Sequence, residues 1–84
     1  MSVSAYFVVQ SFTRANKGGL RPDVPVQAQS PDHALRLAER LASQKAAVVA
    51  FMGSGDAQTG DYDDPKLIAA YGSLPDEIAE MPRA

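Results

Sequence analysis

The stretch SPDHALRLAERLASQKAAVVAFM, residues 30–52, decides the fold because a helix pattern runs directly into a strand pattern. Ser30 is a good N-cap, Pro31 suits the first helical position, and Asp32 is favourable near the positive end of a helix. One helix face is then marked at helical spacing by Ala34, Leu37, Ala38, Leu41 and Lys45, and it is widened by Leu35 and Ala42. The pattern predicts a helix over 30–45 that lays one apolar face on a sheet.

The segments around this helix are typical of strands. Residues 46–52 show no polar alternation, which predicts a strand buried in the sheet centre. Residues 4–13, SAYFVVQSFT, are rich in β-branched and aromatic residues and predict a second central strand. Residues 23–29 predict an antiparallel partner for it. Since Pro22 and Pro25 cannot donate ladder hydrogen bonds, we place that partner at a sheet edge.

The segment DDPKLIAAYG, residues 63–72, is compatible with two structures. It is a helix if Asp64 caps it, Pro65 begins it and Gly72 ends it. It is a strand if Leu67, Ala69 and Tyr71 share one face. We favour the strand because the buried segment 46–52 needs a neighbour.

These elements predict an α+β fold with the order ββαββ, in which a four-stranded, mainly antiparallel sheet carries one helix across one face. We expect a single domain over residues 1–74 and a loosely ordered acidic tail over 75–84. A chain of 84 residues forms one small domain with a limited core. Self-association is a common way for such a domain to bury more surface.

The composition excludes several classes of protein. Without cysteine there is no disulfide framework and no thiolate zinc site. No run of ~18 apolar residues predicts a membrane span, and the segment MSVSAYFVVQSF lacks the basic region of a signal peptide. We therefore expect a cytoplasmic protein that does not contact membranes.

The net charge of −2 is unevenly distributed. The first thirty residues carry the basic side chains Arg14, Lys17 and Arg21, whereas acids dominate from residue 61 onward. The two groups could attract each other within one molecule or between two. The basic set is too small for the electrostatic surface that nucleic-acid binding needs, so we do not expect a nucleic-acid partner.

The stretch GSGDAQTGDY, residues 53–62, has the glycine spacing of a phosphate loop. Such a loop needs Lys and then Ser or Thr after its last glycine, because the lysine reaches the phosphates and the hydroxyl binds Mg²⁺. Asp61 and Tyr62 occupy those positions, and a carboxylate repels phosphate. The stretch is therefore not a nucleotide site.

Acidic residues in the same stretch and just beyond it favour a cation instead, since hard cations prefer several oxygen ligands. An EF-hand beginning at Asp61 fails because Lys66 stands where the motif needs glycine. An irregular divalent-cation or small-ligand site stays open, and so does a solvated turn. The candidate ligands are Asp56, Asp61, Asp63 and Asp64.

No catalytic set is apparent in the sequence. His33 is the one histidine, and no nucleophile with a neighbouring base can be identified. We expect a non-catalytic protein without a cofactor. A site between subunits that uses His33 and Tyr62 is the alternative.

Two stretches, SPDHALRLAERLASQKAAVVAF and GDAQTGDYDDPKLIAAYGSLP, carry a resemblance over residues 25–75. They resemble a family of small bacterial α+β proteins of unknown function. In that family a strand leads into a GD..TG(D/E)Y turn, followed by an apolar segment ending in G..P. The resemblance favours a strand over 66–72, and it carries over no activity, ligand or catalytic residue.

The leading functional hypothesis is a module that acts through protein contacts, with itself or with another protein. The dimer would form by pairing of edge strands or by exchange of a hairpin about residues 53–60. The alternative is a small-ligand or divalent-cation domain that uses the acidic loop Gly53–Asp64.

Overall fold

The computed structural model describes residues 3–16, 18–56, 58–72 and Pro82. Three strands precede the single helix of the described residues, and three follow it. In chain order the elements are β1 (Val3–Arg14), β2 (Leu20–Pro22), β3 (Val26–Ala28), α1 (Pro31–Ala42), β4 (Ala47–Asp56), β5 (Asp61–Tyr62) and β6 (Lys66–Gly72).

The six strands form one antiparallel sheet with β1 and β4 at its centre. These two strands pair continuously, from Val3 opposite Asp56 to Phe12 opposite Ala47. β2 and β3 both pair with β1, and β5 and β6 both pair with β4. The α+β class is thus confirmed. The predicted order ββαββ and the count of four strands are not, because the described residues form six strands and each outer position of the sheet is shared by two of them.

Prolines divide the outer position beside β1. Pro22 ends β2, and Pro25 stands directly before β3. Neither residue has a backbone N–H to donate to a ladder. The strand predicted over 23–29 is therefore shorter than expected. Residues 23–25 bulge outward from the edge of β1, where only the Asp23 N–H still donates to the Ser11 carbonyl.

The helix begins where its sequence pattern predicts but ends at Ala42, three residues before the predicted end at 45. Ser30 is the N-cap, with extended backbone (φ −159°) and a side chain that accepts from the backbone N–H of His33. Ala34 and Ala38 are fully buried in a cluster with the sheet residues Val9 and Val48. Small side chains at these two positions let the helix backbone lie close to the sheet.

β4 is buried on both faces, as its unbroken apolar pattern predicts. Val48 and Ala50 face the helix, whereas Ala47 and Val49 belong to a second buried cluster with Phe12 and Leu67. β4 is also longer than expected and continues as far as Asp56. Gly53 and Gly55 consequently lie inside a strand and not in a loop, so residues 53–56 do not form the flexible hinge that hairpin exchange requires.

Residues 66–72 form a strand, as we favoured, but its faces differ from the prediction. A β-bulge shifts the register between Ala50 and Phe51 of β4. Ala69 and Tyr71 lie on the helix side, and Leu67 is turned to the other cluster. The predicted acidic tail over 75–84 lies outside the described residues except for Pro82, whose carbonyl accepts from the Leu67 N–H at 2.7 Å.

Candidate functional site

The acidic hairpin that joins β4 to β5 holds two of the four predicted ligands. Asp56 and Asp61 pair across it. The Asp56 carboxylate accepts from the Gln58 N–H at 2.9 Å, and its carbonyl accepts from the Gly60 N–H at 2.8 Å. Asp56 is only 5% exposed, so its side chain is engaged in forming the turn.

The other two predicted ligands follow β5. Asp63 is exposed, accepts a 2.9 Å hydrogen bond from the Ser54 hydroxyl, and donates its N–H to the Ser54 carbonyl. Asp64 is also exposed. Asp56, Asp61 and Asp63 line one open depression of about 520 Å³. Asp63 also lines a neighbouring depression of about 530 Å³, together with Asp64 and Lys66.

The two depressions do not bring metal ligands together. Nowhere in the described ranges do three or more Asp, Glu or His side chains lie in an arrangement that could hold a metal ion. The structure thus brings three of the predicted acids to one depression and leaves the fourth beside it.

Two tyrosines explain why glycines occur inside β4. Tyr6 of β1 lies opposite Gly53, and Tyr62 of β5 lies opposite Gly55. Each ring occupies the space in which a Cβ on the facing glycine would stand. Aromatic side chains often cover a strand glycine in this way, so Gly53 and Gly55 each make room for a tyrosine ring.

His33 has a local structural role at the start of α1. Its Nδ1 accepts from the backbone N–H of Gln29 at 3.1 Å, and its own N–H donates to the Ser30 hydroxyl at 3.0 Å. The imidazole thus serves the turn between β3 and the helix.

A polar cluster around Asp23 was missed by the sequence reasoning. Both carboxylate oxygens accept from the Thr13 hydroxyl, one accepts from the Ser11 hydroxyl, and Lys45 Nζ lies 3.4 Å away. Burial alone raises the pKa of Asp23, but the hydrogen bonds from Thr13 and Ser11 and the nearby Lys45 charge outweigh burial and lower it below its ordinary value. The sequence signal for this cluster is the pair Ser11 and Thr13, whose hydroxyl groups lie two positions apart and so share one face of a strand.

The most exposed large apolar side chains lie at the sheet edges. Val24 is 85% exposed and Val26 is 43% exposed, both in the segment where the chain leaves the edge of β1. Tyr62, at the opposite edge, is 58% exposed. We call residues Pro22–Val26 the Val24 loop.

Comparisons with known proteins identified no relative of this chain. A scan against family models found no match, and searches among curated proteins and solved structures also found none. In the part of the chain that the structure describes, no helix has the length and apolar character needed to cross a membrane.

Proposed function

We propose that this chain is a small, non-catalytic protein-interaction module of the cytoplasm that associates with a second copy of itself through the Val24 loop. The exposure of Val24 and Val26 at one sheet edge carries the proposal. Pro22 and Pro25 are exposed beside them, so four apolar residues face water within five positions. Clustered exposed apolar residues mark interaction surfaces, whereas scattered ones do not.

The contact proposed is between side chains, not an added strand. Pro22 and Pro25 have no N–H to offer a partner. The N–H of Asp23 already donates to the Ser11 carbonyl, and that of Gln29 donates to His33. An edge with so few free donors resists strand addition, as natural edges commonly do. The apolar side chains of the loop are therefore the source of affinity.

A second copy fits this surface because a two-fold axis through the loop apposes two identical apolar patches. Electrostatic repulsion between the two copies of Arg21, the basic residue beside the loop, is weak in this arrangement. Arg21 lies three positions from Val24, so the two Arg21 side chains stay roughly 20 Å apart in such a dimer. That separation exceeds the Debye length of ~8 Å at physiological salt.

Sedimentation equilibrium from micromolar to millimolar concentration tests the proposal. We expect a monomer–dimer equilibrium that Val24→Ser weakens by about tenfold or more, since burying a valine contributes roughly 1.5 kcal/mol and each 1.4 kcal/mol is tenfold. Tyr62→Ser, at the opposite edge, is the matched control and should leave the dissociation constant unchanged. A single-chain mass at every concentration would refute the proposal.

A second candidate is the binding of a small ligand or a divalent cation at the acidic hairpin. The open depression lined by Asp56, Asp61 and Asp63 supports a small ligand, whereas a cation would have to draw these carboxylates together on binding. A ligand that binds only the native state must raise the melting temperature. Adding Ca²⁺ or Mg²⁺ should then raise the melting temperature of the wild type but not of a D61N/D63N variant. An equal rise in both proteins would exclude Asp61 and Asp63 as the metal site.

A further inference from the structure

The Val24 loop is held at the residue next to its most exposed side chain. Asp23 accepts from Ser11 and Thr13 through its carboxylate, and Lys45 lies beside it. Its N–H donates to the Ser11 carbonyl at 2.9 Å, and its carbonyl accepts from the Gln10 side-chain amide. Backbone and side chain of this one residue are thus both fixed, while Val24 beside it is 85% exposed.

The groups that hold Asp23 are themselves well supported. Ser11 is only 6% exposed and lies in β1, where it pairs with Val48 of β4. Lys45 comes from the connection between α1 and β4. Pro22 and Pro25 add their fixed φ angles on either side of the anchor. The loop is therefore tied to the sheet and to the helix–strand connection.

We propose that Asp23 is a positioning residue that holds the Val24 loop in its binding shape before the second copy arrives. The inference rests on the proposed function, because it assigns a role within that same interface. A surface that is ordered before binding avoids the entropy cost of ordering it at the interface. Asp23 itself faces β1 and not the partner, so it acts on affinity through the position of Val24.

The strands on either side of Asp23 have pairing of their own, which allows a positioning role to be tested separately from general stabilisation. β2 and β3 each pair with β1 through their own backbone, on either side of Asp23. Removal of the carboxylate should therefore leave these strands in place and free the loop between them.

The test compares Asp23→Ala with Asp64→Ala, which removes the same charge at the opposite edge, in two measurements. The first is the dimer dissociation constant from sedimentation equilibrium. The second is the ¹⁵N relaxation order parameter of the Val24 amide at concentrations where the protein is monomeric. For Asp23→Ala we expect affinity to fall about tenfold or more and the order parameter to fall from about 0.85 toward 0.6. Asp64→Ala should change neither.

Conservative variants keep the test decisive if Asp23→Ala does not fold. Asp23→Asn retains partners for both hydroxyls and should recover most of the affinity, whereas Ser11→Ala and Thr13→Val should each weaken dimerisation in part. A loss of dimer in Val24→Ser together with wild-type affinity and Val24 order in Asp23→Ala overturns the positioning role and leaves the proposed function intact. Wild-type affinity in Val24→Ser overturns the interface itself.

Discussion

Gly72 is the residue at which one added methyl group should be most costly. Its φ of +82° lies in the left-handed region, and a Cβ there would overlap the carbonyl oxygen of Ala46. Gly60 has a similar φ of +76°, but a Cβ there meets open space. Alanine substitutions at Gly60 and Gly72 therefore separate the free-energy cost of a left-handed backbone from the cost of a steric clash.

We predict that Gly60→Ala destabilises the protein by about 1 kcal/mol, from the left-handed backbone alone. Gly72→Ala should cost a further ~1–3 kcal/mol, because backbone atoms must move to admit the methyl group. Urea unfolding of both variants measures the difference. Equal losses would mean that the chain around Ala46 yields without strain.

The roles of some individual residues could be predicted from the sequence, and those of others could not. Ser30 could be assigned as the N-cap because its pattern is local: a hydroxyl residue, then proline, then an apolar helical stripe. Asp23 could not be assigned, since its partners Ser11 and Thr13 lie about ten positions earlier and Lys45 over twenty positions later. Only strand pairing and the return of the chain through α1 bring these groups together.

Among the elements, α1 depends on its first turn. The Ser30 hydroxyl accepts from the His33 N–H at 3.0 Å and satisfies one of the free donors at the helix start. We predict that Ser30→Ala lowers the free energy of unfolding by about 1 kcal/mol.

Ser43→Ala is the matched control at the other end of the same helix. The Ser43 hydroxyl is exposed and donates to the Arg40 carbonyl, so its loss should change stability by less than about 0.5 kcal/mol. Thermal or urea unfolding of the two variants compares them directly. A loss from Ser43→Ala as large as that from Ser30→Ala would contradict the capping role.

The strands show why their existence was easier to predict than their detail. Residues 46–52 carry an apolar pattern that identifies a strand without any tertiary information, whereas 66–72 could be chosen as a strand only because its neighbour needs a partner. The bulge opposite Ala50 and Phe51 leaves no mark in the sequence, yet it moves Leu67 to the face opposite Ala69. The register of β6 is decided by how its side chains fill the two clusters on either side of β4.

At the scale of the whole molecule, opposite charges lie at opposite ends. Arg14 and Arg21 stand where β1 ends, and the acidic hairpin stands where β1 begins. β1 has 12 residues, so these groups are separated by roughly 37 Å along the strand, in a molecule 45 Å long. Attraction between the two ends of one molecule is screened at this distance.

Salt dependence distinguishes the two ways in which copies could meet. We predict that the dimer dissociation constant changes by no more than about twofold between low and high NaCl, because apolar contacts of the Val24 loop are not screened. Sedimentation equilibrium in a salt series measures this. A dimer that dissociates steeply as salt rises would instead be held by the charged ends, and Arg21→Glu would then abolish it.

The sequence by itself determined the α+β class, the start of the helix and the strand character of 46–52. Each of these follows from local periodicity and capping, which act over a few residues. Tertiary structure alone decided the division of both outer strand positions, the covering of Gly53 and Gly55 by tyrosines, and the anchoring of Asp23. These features join residues distant in the chain, and their geometry follows from which strands pair and in which register.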